Sequence, residues 1–330
     1  MRRSEPGLCQ WFHFEAYEDV ERTLDALRAL GVRRLRTGIS WADYHRPGGR
    51  AWYDWQMAAL GELEVLVSVW HTPPSRGEAP LCNAPPRRLA DYAEFVWEVV
   101  DRYGDRFEAL ELWNEPNNRY KWDFARFDPD WSKFAQMVGM AAETAQRMGK
   151  YTVLGGMMPA DPHWLRLIEA HGGLRHVDAV AVHGFPGMWW PGERNWDWYD
   201  RWQGWPTRVA RIEAAAGGRP VWVTEAGLAT WSVEARAPAR HGLQVAMLDE
   251  AMQAPAERVY WYSVIDLDPR RAAIEGFHVD ENEYHLGLST YGGERKPAWH
   301  AMKRWARGRA AAATAAAGVR AEAAEPISGG

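Results

Sequence analysis

The chain has 330 residues, 47% hydrophobic and 25% charged, and its 39 Lys and Arg against 44 Asp and Glu give a formal net charge of −5. This length buries a sizeable core, and the composition excludes a wholly disordered or fibrous chain. Without a basic excess a phosphate-backbone binder is disfavoured, and two cysteines, Cys9 and Cys82, are too few for a disulfide framework or a zinc site.

In chain order, short β-rich runs alternate with longer segments of helical spacing. Leu8–Phe14 reads as the first strand. Val20, Leu24, Leu27 and Leu30 then form one helical stripe, with Gly31 as its stop. Arg33–Trp41 and Glu64–His71 are the next strands. Leu89, Ala93, Val96 and Val100 form a second stripe ahead of Gly104. Phe107–Glu115 is the fourth strand. After it, Asp130 is the expected cap of a helix carrying Phe134, Met137, Ala141 and Met148, stopped by Gly149. Tyr151–Gly156, Val177–His183, Pro220–Glu225 and Arg258–Val264 complete the strands. Asp161-Pro162, Pro206-Thr207 and Pro297 mark further helix starts.

This alternation predicts an α/β chain with a parallel sheet, and eight strand–helix repeats without a compositional break predict a single (β/α)8 TIM barrel over residues 1–306. A doubly wound open sheet is the alternative, but no GxGxxG or GxxxxGK[ST] loop follows a strand. The Ala-rich stretch 307–330 reads as a tail outside the barrel, frayed or disordered.

Such barrels place their chemistry where the strands end. Asn114 and Glu115 end the fourth strand and Thr224 and Glu225 the seventh, so two carboxylates are expected to face one bowl. That pair suits glycosidic cleavage, in which one carboxyl protonates the leaving oxygen and the other attacks or activates water. Arg36, Trp41, His71, His183 and Trp261 also lie within or just after strands.

ELWNEPN (Glu111–Asn117) followed by VWVTEAG (Val221–Gly227) resembles the motif pair of the clan-A retaining glycoside hydrolases, family 39-like or family 5-like, over about Leu8 to Trp305. The resemblance implies Glu115 as acid/base and Glu225 as nucleophile in a double displacement on a β-linked glycoside, β-xyloside or β-glucoside-like. It further implies that Asn114 binds the sugar 2-hydroxyl and that Arg36 lies beneath the nucleophile. His71 and His183 would contact sugar hydroxyls or orient the carboxylates, with Trp261 a stacking floor. Many members carry His-x-Tyr on strand six, whose Tyr donates to the nucleophile. Here the stretch is His183-Gly184-Phe185, so either another donor such as Tyr199, Tyr262 or His183 replaces it or the nucleophile is tuned differently. A retaining outcome predicts carboxyl groups roughly 5–5.5 Å apart.

Six of the 21 tryptophans cluster after the sixth strand, at Trp189, Trp190, Trp196, Trp198, Trp202 and Trp205. Half of this group is expected to pack over the barrel mouth and half to face sugar, with Trp189 and Trp190 as the sugar contacts. Arg119, Tyr120, Lys121 and Trp122 either line a leaving-group site or form a solvated face.

No metal and no cofactor are expected, since the paired ligands of a metallohydrolase are missing, and without a GxSxG turn a serine hydrolase is disfavoured as well. The alternatives are a transglycosylase and a catalytically silent carbohydrate-binding barrel. The expected partner is a small carbohydrate or oligosaccharide. No nucleic acid and no membrane span are expected, the absence of a signal-like start suggests a cytoplasmic location, and the oligomeric state is left open.

Overall fold

The computed structural model describes residues 5–188, 196–197, 200–272 and 281–308. Eight parallel strands close into a barrel: β1 (Glu5–Cys9), β2 (Arg34–Ser40), β3 (Glu64–Trp70), β4 (Ala109–Leu112), β5 (Tyr151–Met157), β6 (Ala179–Gly184), β7 (Val221–Ala226) and β8 (Arg258–Tyr262). Each pairs with its neighbours in chain order, and β1 closes the ring by pairing with both β2 and β8. At least one helix follows each strand on the outside, among them Tyr17–Leu30 after β1, Ala90–Tyr103 after β3 and Ser132–Arg147 after β4, with 297–308 after β8. The chain is therefore a single (β/α)8 barrel as far as it is described.

The apolar stripes behave as their spacing requires. Val20, Leu24, Leu27 and Leu30 are all buried against the barrel wall, and each such side chain contributes about 1.5–3 kcal/mol on burial. Gly31 ends that helix at φ 78°, a conformation costly for any residue with a Cβ, and donates its N–H to Leu27 and Arg28.

Several boundaries differ from expectation. β1 ends at Cys9, well short of Phe14, because Gln10 turns its side-chain oxygen to the N–H groups of Val264 and Ile265 at 3.1 and 3.0 Å. β4 stops at Leu112, before Glu115, since Trp113 and Glu115 adopt left-handed φ of 72° and 44°. Asp130 does not cap the helix after β4. Trp131 stands at that position, and Asp128 accepts from the N–H groups of Lys133 and Phe134 at 3.0 and 2.9 Å. Asp161 caps the following helix as expected, accepting from His163 N at 2.8 Å.

Cys9 and Cys82 are both free thiols. No helix among the described residues is long and apolar enough to cross a membrane. Of the Ala-rich stretch, 309–330 lie outside the described residues.

Candidate active site

The centre is built from strands whose residues alternate inward and outward. Arg36 on β2 is fully buried and faces into the barrel, where its Nε donates to Glu111 Oε2 at 2.7 Å and its Nη1 to Glu225 Oε1 at 2.5 Å. Its Nη2 donates to Asn114 Oδ1 at 2.8 Å. One guanidinium thus ties together β2, β4 and β7. Burial works against its charge, but Glu111, Cys9 and Glu225 outweigh that and hold its pKa well above the ordinary arginine value.

Glu225 Oε1 receives two further donors. The indole Nε1–H of Trp11 donates at 3.2 Å, and the thiol of Cys9 stands at 3.9 Å. Burial pushes the Cys9 thiol pKa well up, so it stays protonated beside the carboxylate. Trp11 lies over Gly38, where a Cβ would come within 2.2 Å of the indole, so only glycine leaves the ring its place.

Glu115 projects from the bend beyond β4. Its Oε1 lies 3.0 Å from His183 Nδ1, and its Oε2 accepts from Asn118 Nδ2 at 3.1 Å. His183 is fully buried on β6, with Nδ1 3.5 Å from Glu225 Oε2 and Nε2 3.1 Å from Thr224 Oγ1. Gly156 on β5 makes room for that imidazole, since a Cβ there would fall 2.0 Å from Nε2. One ligand atom from each of Glu115, His183 and Glu225 lies within 4.8 Å of the other two. The sequence-derived carboxylates therefore meet, with one imidazole between them.

Asn114 is buried, with Oδ1 committed to Arg36; among the described residues its Nδ2 has no hydrogen-bond partner. A buried donor left in that state costs about 1–3 kcal/mol, which a ligand oxygen at that point would recover.

Other expected site residues stand elsewhere. Trp41 is fully buried, stacks on Phe95 at 5.6 Å and bonds His45, which makes it a packing residue between β2 and its neighbouring helix. Trp261 is also fully buried and is in register with Leu8 and Ala226, one step out of phase with Cys9 and Glu225. It therefore faces the outer helices, and Tyr262, in register with Cys9, takes the inward position instead. His71 sits at the end of β3, half-exposed at φ 69°, against Trp70, whose ring centroid is 3.5 Å away. Trp189, Trp190 and Tyr199 lie outside the described residues. Of the remaining aromatic loop, Trp202 and Trp205 pack edge to face at 5.1 Å, and Trp202 donates to Glu250. In the stretch after Glu115, Trp122 is buried and donates to Asp128, Lys121 is buried over the Trp70 ring at 5.1 Å, and Tyr120 is exposed.

Trp11, Glu111, Cys9 and Asn118 are site residues that sequence reasoning did not name. The signal for Glu111 was present: a charge inside an otherwise apolar four-residue strand demands a buried partner.

No family model matches the sequence, and no curated protein matches it. Solved structures do. A family 39 glycoside hydrolase from the gut symbiont Bacteroides cellulosilyticus WH2 superposes with a TM-score of 0.63 at 18% identity, covering 92% of this chain and 64% of that one. A family 39 β-xylosidase from Caulobacter crescentus gives 0.61 at 17% identity, covering 92% and 70%. A β-glucosidase from Thermotoga maritima in complex with deoxynojirimycin gives 0.66 at 12% identity, covering 92% and 97%. The chain spans just under two thirds of the length of the first of these. At such identities the likeness is one of fold.

Proposed function

We propose that the protein is a retaining β-glycosidase, with Glu225 as nucleophile and Glu115 as general acid/base. The observation that carries this reading is the convergence of Glu115, His183 and Glu225 within 4.8 Å at the mouth of the barrel. With an oxygen of each carboxyl this near the other, the pair fits the roughly 5–5.5 Å group separation of double displacement better than the about 6.5–9.5 Å at which inverting pairs admit a water.

In the first step Glu225 attacks the anomeric carbon as the bond to the leaving oxygen breaks, and Glu115 gives that oxygen its proton. The product is a glycosyl ester on Glu225. In the second, Glu115 takes a proton from water, whose oxygen displaces Glu225 and frees the sugar. Arg36, Trp11 and Cys9 fix one carboxylate oxygen of Glu225 and favour its ionised form. Asn114 Nδ2 is the donor available to the sugar 2-hydroxyl. The fold neighbours that act on xylosides and glucosides make those sugars the first choices.

The silent-barrel alternative rested on Phe185, which cannot donate to the nucleophile. The Trp11 indole N–H, 3.2 Å from Glu225 Oε1, is a donor in that role and supports the catalytic reading over the silent one.

Release of chromophore from aryl β-xyloside, glucoside, glucuronide and arabinoside tests the reading. Glu225→Gly should abolish turnover, and azide should restore it with an α-glycosyl azide as product. No release from any member would end the proposal, and rescue at Glu115→Gly alone would exchange the two roles.

A further inference from the structure

Beyond glycoside chemistry, the same three side chains have the composition of a metal site. We propose that Glu115, His183 and Glu225 bind one borderline divalent transition-metal ion, of the Zn2+ class, and that this ion excludes substrate. The proposed reaction needs no metal, so this is an inhibitory occupancy and stands independently of that reading.

The geometry supports it. Zn2+ binds imidazole nitrogen and carboxylate oxygen at about 2.0–2.2 Å, so ligand atoms on a tetrahedron lie about 3.3–3.6 Å apart. His183 Nδ1 is 3.0 Å from Glu115 Oε1 and 3.5 Å from Glu225 Oε2, near that spacing, and one oxygen of each carboxylate lies within 4.8 Å of the other. Arg36 engages the other oxygen of Glu225, Oε1, and is itself shared with Glu111. Two carboxylates, Glu111 and Glu225, share that guanidinium and Glu115 adds a third to the site, so an added dication meets a favourable local charge.

The imidazole is also oriented for ligation. Metal binding needs a lone pair on Nδ1, which places the ring proton on Nε2, facing Thr224 Oγ1 at 3.1 Å. A hydroxyl accepting from the distal ring N–H is the kind of contact that fixes ligand histidines. One nitrogen and two oxygens favour Zn2+ or Cu2+ over Mg2+ and Ca2+, which require more oxygen ligands. Binding displaces any proton held by Glu115 or by His183 Nδ1, so affinity rises with pH.

Calorimetric titration of the full chain with ZnCl2 tests the proposal, with MgCl2 as the comparison. One Zn2+ per chain is expected, tighter at higher pH, with no heat from Mg2+. His183→Ala and Glu225→Gln should each weaken binding by at least about tenfold, since even outer contacts of metal sites are worth 10–100-fold. Thermal melts followed by circular dichroism establish that the variants fold, and if His183→Ala does not, the near-isosteric Glu115→Gln joins Glu225→Gln in its place. On any glycoside that is turned over, Zn2+ should raise KM, leave kcat unchanged and be reversed by EDTA. Zn2+ binding that is equal in wild type and folded variants would overturn the inference by placing the ion elsewhere. Inhibition that lowers kcat at constant KM would overturn it as well. If no glycoside reacts but the calorimetric pattern holds, the functional reading fails and the metal site stands.

Discussion

Trp11 donates its indole N–H to Glu225 Oε1 at 3.2 Å, joining residues 214 apart in sequence. The same ring lies 4.9 Å from the Arg36 guanidinium, so the indole braces both members of the ion pair.

Trp11→Phe keeps a ring over Gly38 but removes the donor. A hydrogen bond to a charged group contributes about 1.5 kcal/mol or more, close to tenfold in rate. We expect kcat/KM to fall about tenfold, with the acid limb of its pH profile moving up, because the Glu225 carboxylate loses a partner that favours its charged form. An unaltered pH profile would remove Trp11 from the mechanism.

Gly156→Ala introduces a methyl 2.0 Å from His183 Nε2. The imidazole must move, and with it its contact with Glu115. A displacement near 1 Å in such a site costs about a hundredfold in rate, against an overpacking cost of about 1–3 kcal/mol in stability. Steady-state kinetics beside a urea titration separates the two. A variant that unfolds easily yet retains full turnover would show that the imidazole position is unimportant.

Glu111→Gln removes one of the two carboxylates that balance the buried Arg36. Removing one partner of a buried ion pair typically costs about 3–5 kcal/mol. A large fall in the urea midpoint is expected, and an unchanged midpoint would mean that the Glu111–Arg36 pair does not stabilise the fold.

Asp268 accepts from the backbone N–H, Nε and Nη2 of Arg270, which lowers its pKa from 3.8 to about 2. A depressed carboxyl stabilises the fold above its unfolded pKa, and that contribution fades as pH falls through the folded value. The window therefore runs from near pH 4 down to about 2. Arg270→Ala should narrow it, so that wild type and variant differ in urea midpoint at pH 5 and converge near pH 2. A difference that persists undiminished at pH 2 would exclude this origin.

The barrel and both carboxylates were legible because their signals are local. Strand–helix alternation repeats within short windows, and each glutamate sits in a compact motif beside its strand. What escaped was the outcome of long-range closure. A tryptophan beyond β1 resembles any core aromatic until β7 is brought alongside it. Trp261 differs for another reason: its stacking role came from the resemblance, whereas strand phase counted from Cys9 turns Tyr262 inward. The bend at Trp113 and Glu115 was also invisible, since neither residue favours positive φ.

The partners of Glu225 come from both sides of the seam where the first and last strands meet: Cys9 and Trp11 at the start of the chain, Arg36 on β2, His183 on β6. A refolding chain that has assembled only its later strands holds that carboxylate without its indole, thiol and guanidinium. Recovery of turnover during refolding should therefore lag the recovery of helical signal, and serve as a clock for the zipping of the cylinder.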